Sequence, residues 1–212
     1  MAKCILMCAG SYEPLEIEKQ DGDYLIAVDG GFRYCLEQSL QPDLVLGDFD
    51  SVEPEYLEII QQVSQEQRIT LPVQKDDTDT LAAVKVGLDK GYRSFHIYGA
   101  LGGSRMEHTL ANLQTLLYLK NRGAKGYLLD KDCMVFLIQN ETVTLGEKGP
   151  AYLSLFAMGG DAKGVTIKNM KYDIEDVVIS SDYPVGISNE IIGTEPTISV
   201  EDGTLLAILR WM

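Results

Sequence analysis

Four turns of the chain hold the residues whose types and spacing could do chemistry. They are Asp29-Gly30-Gly31, Gly47-Asp48-Phe49-Asp50-Ser51, Lys75-Asp76-Asp77-Thr78-Asp79 and Gly99-Ala100-Leu101-Gly102-Gly103-Ser104-Arg105. Taken singly, each has an ordinary explanation. Asp-Gly-Gly is a common turn in which glycine tolerates positive φ. Asp48 and Asp50 suit a turn and a helix start, and residues 75–79 suit a solvated loop entering a capped helix. Helix starts, however, do not require Asp29, Asp48, Asp50 and Asp79 to gather at one edge of one sheet. Gathered there, the carboxylates repel one another and hold protons more tightly unless a cation compensates. Mg²⁺ suits such a place, because it favours carboxylate oxygen and shares its shell with substrate phosphates. Asp48, Asp50 and Asp79 are the candidate metal ligands.

Cations beside such a metal should meet phosphate directly. Lys75 and Arg105 qualify, and arginine offers a planar fork for bidentate contact. Gly102 and Gly103 let backbone amides approach a phosphate near the start of a helix, where the dipole favours anions. Only two histidines exist: His96 reads as a packed strand residue, and His108 lies in a first helical turn close to the glycines. A Ser-His-Asp triad is poorly supported.

The elements that must position these turns are legible as a change of texture along the chain. Up to about residue 138, the apolar runs "CILMC", "YLIAV", "LVL", "FHIY", "GYLLD" and "MVFLI" alternate with segments of helical period. Leu81, Val84 and Leu88 recur at helical spacing before Gly91, and Met106, Leu110, Leu113 and Leu117 form a second stripe over 106–122. Beyond 140, "ETVTL", "AYLSLF", "GVTIKNMKY", "DVVISS", "TISV" and "TLLAILRW" are short and separated by turn residues. The pattern predicts a doubly wound, mostly parallel α/β domain over 1–140, followed by a small antiparallel β-sandwich over 141–212. In open α/β sheets ligands bind beyond the carboxyl ends of the strands, where three of the four turns fall.

Composition narrows the function classes. Of 212 residues, 45% are hydrophobic and 24% charged, ordinary globular usage, and the formal net charge is -14. With no Lys/Arg cluster, that charge argues against nucleic acid, whose phosphates need a basic face. No apolar run approaches the roughly 20 residues of a membrane span, and the opening run is too short for a signal-peptide core. A soluble, cytoplasmic protein is expected. Cys4, Cys8, Cys35 and Cys133 show no CxxC spacing and read as reduced, buried thiols.

In their order, "AVDGG", "PDLVLGDFDS", "KDDTDT", "GALGGSRMEHTLANLQTL" and "GISNE" resemble the thiamine pyrophosphokinase family, over essentially the whole chain. The resemblance implies pyrophosphoryl transfer from ATP to the thiamine hydroxyl, giving thiamine diphosphate and AMP with Mg²⁺. It also implies an α/β catalytic domain, a thiamine-binding β-sandwich, and a homodimer with the active site at the subunit interface. By position, Asp48, Asp50 and Asp79 match the family's metal and phosphate carboxylates, and Asp29 matches the aspartate of its ADGG motif. Lys75, Thr78 and Arg105 fall on phosphate-contacting positions, with Asp76, Gly102, Gly103, Glu107 and His108 in the ATP-binding segments. "MKYDIED" and "GISNE" resemble the thiamine-binding segments, which would have Tyr172 stack on the vitamin and Ser188 and Asn189 hydrogen-bond it. The chain departs from the family's Gly-Gly-Arg-x-Asp-His by inserting Ser104 and by carrying Glu107 for aspartate. Asp50 and Asp79 are both candidates to take the hydroxyl proton. Two other readings stay open: a DxD metal-dependent nucleotide-sugar transferase built on Asp48-Phe49-Asp50, and a non-catalytic thiamine or nucleotide sensor.

Overall fold

Five apolar runs and one short polar one become the strands of a parallel sheet. The computed structural model of the chain describes residues 2–12, 17–103, 105–146, 149–192 and 194–212. It falls into two compact units, Met1–Lys131 and Asp132–Met212. In the first, β1 (Cys4–Met7), β2 (Tyr24–Val28), β3 (Leu44–Gly47), β4 (Arg68–Thr70), β5 (Ser94–Tyr98) and β6 (Lys125–Leu129) lie in the order β6-β5-β1-β2-β3-β4. Every pairing is parallel. Helices α1 (Gly31–Glu37), α2 (Pro54–Gln62), α3 (Asp79–Asp89) and α4 (Met106–Lys120) fill the crossovers. All four residues of β1 are fully buried, as a sheet covered on both faces requires. β1 takes β2 on one side and β5 on the other, so the winding reverses between β1 and β5. That reversal is where such sheets open a crevice.

Two glycines make the carboxyl edge of this sheet possible. A Cβ on Gly31 would overlap the Met7 carbonyl, so α1 starts tight against the end of β1. Gly31→Ala should therefore destabilise the protein by at least the ~1–3 kcal/mol of an overpacked core site, seen as a lowered thermal midpoint. Gly99 stands at φ +63 with the Tyr12 ring where a side chain would be. The Tyr12 hydroxyl donates to the Cys8 carbonyl (2.8 Å) and the Tyr98 carbonyl (3.2 Å), tying the end of β1 to the end of β5.

The helices form where periodicity predicts them, but with rotated faces. Thr78 caps α3, its hydroxyl oxygen accepting from the Leu81 amide at 3.2 Å, and Gly91 at φ +92 follows its end. The buried face of α3 is Thr80, Ala83, Val84 and Gly87, with Leu81 and Leu88 only half-buried. In α4 the buried residues are Asn112, Thr115, Leu116 and Leu119, whereas Met106 and Leu110 are 66% and 56% exposed. Polar Asn112 shares the close-packed face with Leu116 and Leu119 because its Nδ2 donates to the Ala100 carbonyl (2.8 Å), fixing the helix's rotation.

Every regular element of the second unit is a strand: β7 (Cys133–Gln139), β8 (Thr142–Thr144), β9 (Ala151–Ala157), β10 (Ala162–Lys168), β11 (Ile174–Ile179), β12 (Gly186–Ile191), β13 (Thr197–Ser199) and β14 (Thr204–Trp211). They make two antiparallel sets, β12-β9-β14-β7 and β11-β10-β13-β8. Both supply core side chains, among them Leu153, Leu155, Leu205 and Leu209 from the first and Val165, Ile167, Ile179 and Ile198 from the second. The compact units divide at 131/132, and β7 pairs antiparallel with β14 along its whole length. An apolar run such as "MVFLI" reads alike for a parallel strand and for a sandwich-core strand, so periodicity could not place it. Among the described residues no helix is long and apolar enough to cross a membrane.

Candidate active site

At the carboxyl edge of the parallel sheet, Lys75 sits between two carboxylates. Its Nζ donates to Asp48 Oδ2 at 2.6 Å and lies 3.1 Å from Asp79 Oδ1. The Lys75 and Asp48 side chains are only 14% and 11% exposed, which makes this the most enclosed of the acid–base clusters at this edge. Asp48 follows β3, Lys75 follows β4 and Asp79 opens α3, so two consecutive crossovers converge on one ammonium. The hydrogen bond from Lys75 holds the Asp48 carboxyl below the usual carboxylate range, against the opposing effect of burial. Burial alone would lower the Lys75 ammonium's pKa, but its contacts with Asp48 and Asp79 outweigh that and raise it.

Asp29 closes the cluster from β2. Its backbone adopts φ +50, its amide donates to the Leu46 carbonyl at 2.8 Å, and Ser51 Oγ donates to its Oδ2 at 3.0 Å. Burial raises the Asp29 pKa; the Ser51 and Gly30 hydrogen bonds oppose this, and the charges of Asp79 and Asp48 add to it. A carboxyl whose folded-state pKa is raised opposes folding as pH climbs through that value and is neutral below it. Asp29→Asn should therefore be no less stable than the parent at pH 7, with the advantage fading under acid, while turnover falls. Thermal midpoints at pH 4 and pH 7 check the sign.

The remaining expected residues are distributed more loosely. Asp50 is exposed at the loop's tip, its amide donating weakly to Asp48 Oδ1 at 3.4 Å after Phe49 at φ +60. Asp76 is exposed, and Thr78 is engaged as the α3 cap. Past β5, Gly102 (φ +68) faces open space, whereas a side chain on Gly103 (φ +83) would meet Ser11 Oγ at 3.9 Å, from the loop after β1. Arg105 Nε donates to Glu107 Oε1 at 3.0 Å, and His108 Nε2 lies 4.0 Å from the same oxygen, all on the exposed first turn of α4. The Arg105 contact lowers the Glu107 carboxyl pKa. Ser104, the inserted residue, lies outside the described residues.

In the second unit, Tyr172 is exposed in the turn between β10 and β11, and Ser188 and Asn189 belong to β12. Asn189 is buried, with its amide bonded to the Tyr172 backbone. Ser188 is exposed at φ +59, its amide donating to Ser154 Oγ at 3.1 Å.

Two residues of this site have no place in the motifs' chemistry as read from the sequence: Tyr12 binds the two lips of the crevice, and Asn112 holds the Ala100 carbonyl at the root of the glycine turn. Asn112 left a signal, as a polar residue beside an apolar stripe, whereas Tyr12 acts through a folding contact between distant turns. Ser51 belongs to a turn already singled out, and the structure gives it the role of orienting Asp29.

Whether the cluster suits a divalent cation can be judged from its oxygens. Asp29 Oδ1 and Asp79 Oδ1 are buried without a hydrogen-bond partner, Asp79 Oδ1 having only its ion pair with Lys75. Orphaned carboxylate oxygens are the donors a hard cation takes. Among the described residues no three acidic, histidine or cysteine side chains stand close enough to enclose an ion, so Asp48, Asp50 and Asp79 do not form a closed cage. Mg²⁺ does not need one, since it is usually held by one or two carboxylates with substrate phosphate and water. The residues present fit it on those terms.

The chain is similar to known proteins along most of its length. A family model described as thiamin pyrophosphokinase, catalytic domain, matches residues 16–128, and one described as thiamin pyrophosphokinase, vitamin B1 binding domain, matches residues 141–205. Thiamine pyrophosphokinase of Bacillus subtilis (strain 168) is 28% identical over 184 residues, spanning 86% of this chain and 85% of that one. The crystal structure of the Bacillus subtilis enzyme aligns with a TM-score of 0.87 at 25% identity, covering 98% of both chains. That of thiamin pyrophosphokinase from Geobacillus thermodenitrificans aligns at 0.88 and 25%, covering 100% of this chain and 98% of that one. Matched in order by both of its domain models, with the lysine–carboxylate cluster inside the catalytic one, the chain belongs to the thiamin pyrophosphokinase family of enzymes.

Proposed function

We propose that this enzyme transfers the pyrophosphoryl group of ATP to the hydroxyl of thiamine, giving thiamine diphosphate and AMP. Within a chain of this family, the observation that supports the reading best is Lys75 enclosed by Asp48 and Asp79 at the carboxyl edge of a parallel sheet. The thiamine oxygen bonds to the β-phosphorus. The bond from that phosphorus to the oxygen bridging to the α-phosphorus breaks, and this oxygen leaves on AMP. Lys75 and Arg105 offset charge on the transferring group, while the Gly102 and Gly103 amides together with Asp76, Thr78, Glu107 and His108 seat the nucleotide. Catalysis is then mostly positioning and electrostatics. Asp50 or Asp79 takes the hydroxyl proton. Held by one or two of Asp48, Asp50 and Asp79, Mg²⁺ would neutralise phosphate charge.

Tyr172 offers an aromatic face to the flat, cationic vitamin, and Ser188 offers a hydroxyl. The family's homodimeric state is part of the proposal. Tyr183, Val185, Ile187 and Ile192 support it, being large apolar side chains left exposed on and around the edge strand β12. Sedimentation of the pure protein checks this. We place the enzyme in the cytoplasm.

The deciding assay mixes purified protein with ATP, Mg²⁺ and thiamine and follows AMP and thiamine diphosphate by chromatography, with EDTA as control. Equal, metal-dependent amounts of both products are expected. Thiamine bound but unchanged would make the protein a sensor, and turnover of a sugar nucleotide without thiamine binding would make it a transferase. Near-normal activity in Asp50→Asn would remove Asp50 from its role.

A further inference from the structure

Asn189 does something that a ligand contact does not require. Its Oδ1 accepts from the Tyr172 amide at 3.0 Å and its Nδ2 donates to the Tyr172 carbonyl at 2.8 Å, so one side chain satisfies both ends of one residue's backbone. Asn189 is 9% exposed, whereas Tyr172 is 60% exposed. The turn carrying Tyr172 lies between β10 and β11 and has no ladder of its own. Besides Asn189, it is tied by the Lys171 amide to the Glu190 carbonyl (2.9 Å) and by the Met170 amide to Asp173 Oδ1 (3.0 Å). Lys171 Nζ donates to Glu190 Oε1 at 2.6 Å and stands 5.6 Å from the centre of the Tyr172 ring.

The strand is shaped to deliver this contact. Gly186 pairs with Leu155 and Asn189 with Leu153, so three steps along β12 answer two along β9. The extra residue is a bulge, with Ser188 at φ +59. A bulge shifts the in–out alternation by one residue and re-aims the side chain that follows it. In β12 it leaves Ile187 and Ser188 both exposed and Asn189 buried.

We propose that Asn189 is a positioning residue, which holds Tyr172 ready for the substrate's ring system instead of bonding the substrate itself. The inference rests on the reading that Tyr172 stacks on thiamine. Presenting a preset aromatic face removes the ordering entropy that a free turn would lose on binding. The effect therefore belongs in thiamine affinity and not in the chemical step.

The test is steady-state kinetics on the full-length protein carrying Y172A, N189A, N189D and the Y172A/N189A pair. N189A should raise the thiamine KM about tenfold, equivalent to ~1.4 kcal/mol, with kcat and the ATP KM within about twofold. N189D keeps the acceptor and loses the donor, so it should fall between N189A and the parent, and it carries the test if N189A folds poorly. Because Asn189 acts through Tyr172, the double variant should be no worse than Y172A. Multiplying effects would mean that Asn189 meets thiamine independently and would overturn the proposal. A silent N189A beside an impaired Y172A would overturn it as well. A silent Y172A would remove the stacking role itself, and the clasp with it.

Discussion

Lys75→Met should cost about 10²–10³-fold in turnover, the usual loss when one preorganised charge is taken from developing phosphate negative charge. Its effect on stability is expected to be equally diagnostic. In the parent the Lys75 pKa is raised, so its contribution is complete below the ordinary lysine range and disappears only as pH rises through the folded value. Asp48 is depressed, so its contribution is complete above the ordinary carboxylate range and disappears as pH falls through the folded value. Between those limits both are intact. Methionine leaves Asp48, Asp79 and Asp29 facing one another with no counter-charge. A loss of about 2 kcal/mol is expected at pH 7, under the ~3–5 of a sealed pair because the Asp79 side chain, 26% exposed, can recruit water. The variant should also become relatively more stable toward acid, where the parent becomes less so. Thermal melts from about pH 2 to pH 8 read this directly, and a variant melting like the parent throughout would show that Lys75 does not compensate the cluster.

Asp48→Asn is the complementary experiment, and its expected loss in kcat is again about 10²–10³-fold. Here the charge balance shifts toward positive, so the acid limb of the stability profile that Asp48 supplies should flatten. If Mg²⁺ is seated as proposed, half-maximal rate should also need several-fold more Mg²⁺, because one of its few carboxylate donors is gone. Asp50→Asn separates the two roles. Asp50 is exposed, so its replacement should leave the melting profile alone while still depressing turnover. Equal activity and equal Mg²⁺ dependence in Asp48→Asn and the parent would move the reaction centre elsewhere.

Much of the arrangement at this edge is legible in the sequence, for a physical reason. Turns after strands in a parallel sheet are presented together at one edge, so Asp29, Asp48 and Asp79 needed only their strands and α3 to be recognised. Short apolar runs bounded by Gly and Asp identified β1, β2, β3, β5 and β6. β4 was missed because Arg-Ile-Thr is a three-residue, largely exposed edge strand with no apolar run to find. Helix rotation was misread at α4, where Met106 and Leu110 are apolar yet exposed, and burial went instead to Asn112 through its bond to a turn carbonyl. What periodicity cannot encode is which side chain neutralises which. That Lys75 would be shared by Asp48 and Asp79, that Ser51 would orient Asp29, and that Asn189 would serve the Tyr172 backbone all depend on approaches between turns far apart in the chain.

The placing of β1 between β2 and β5 also sets an order of assembly. Cys4 meets Tyr24 on one flank, a local partner, but meets Phe95 on the other. A nascent chain that has emerged only through Thr70 can hold β1 to β4, with the second edge of β1 still open to water and to other chains. The crevice between β1 and β5 closes last, through contacts of long sequence separation, which are the slow ones to form. If the nucleotide sits in that crevice as proposed, one added during refolding has nothing to grip until that closure is over. It should leave the folding rate untouched and slow only the reverse reaction.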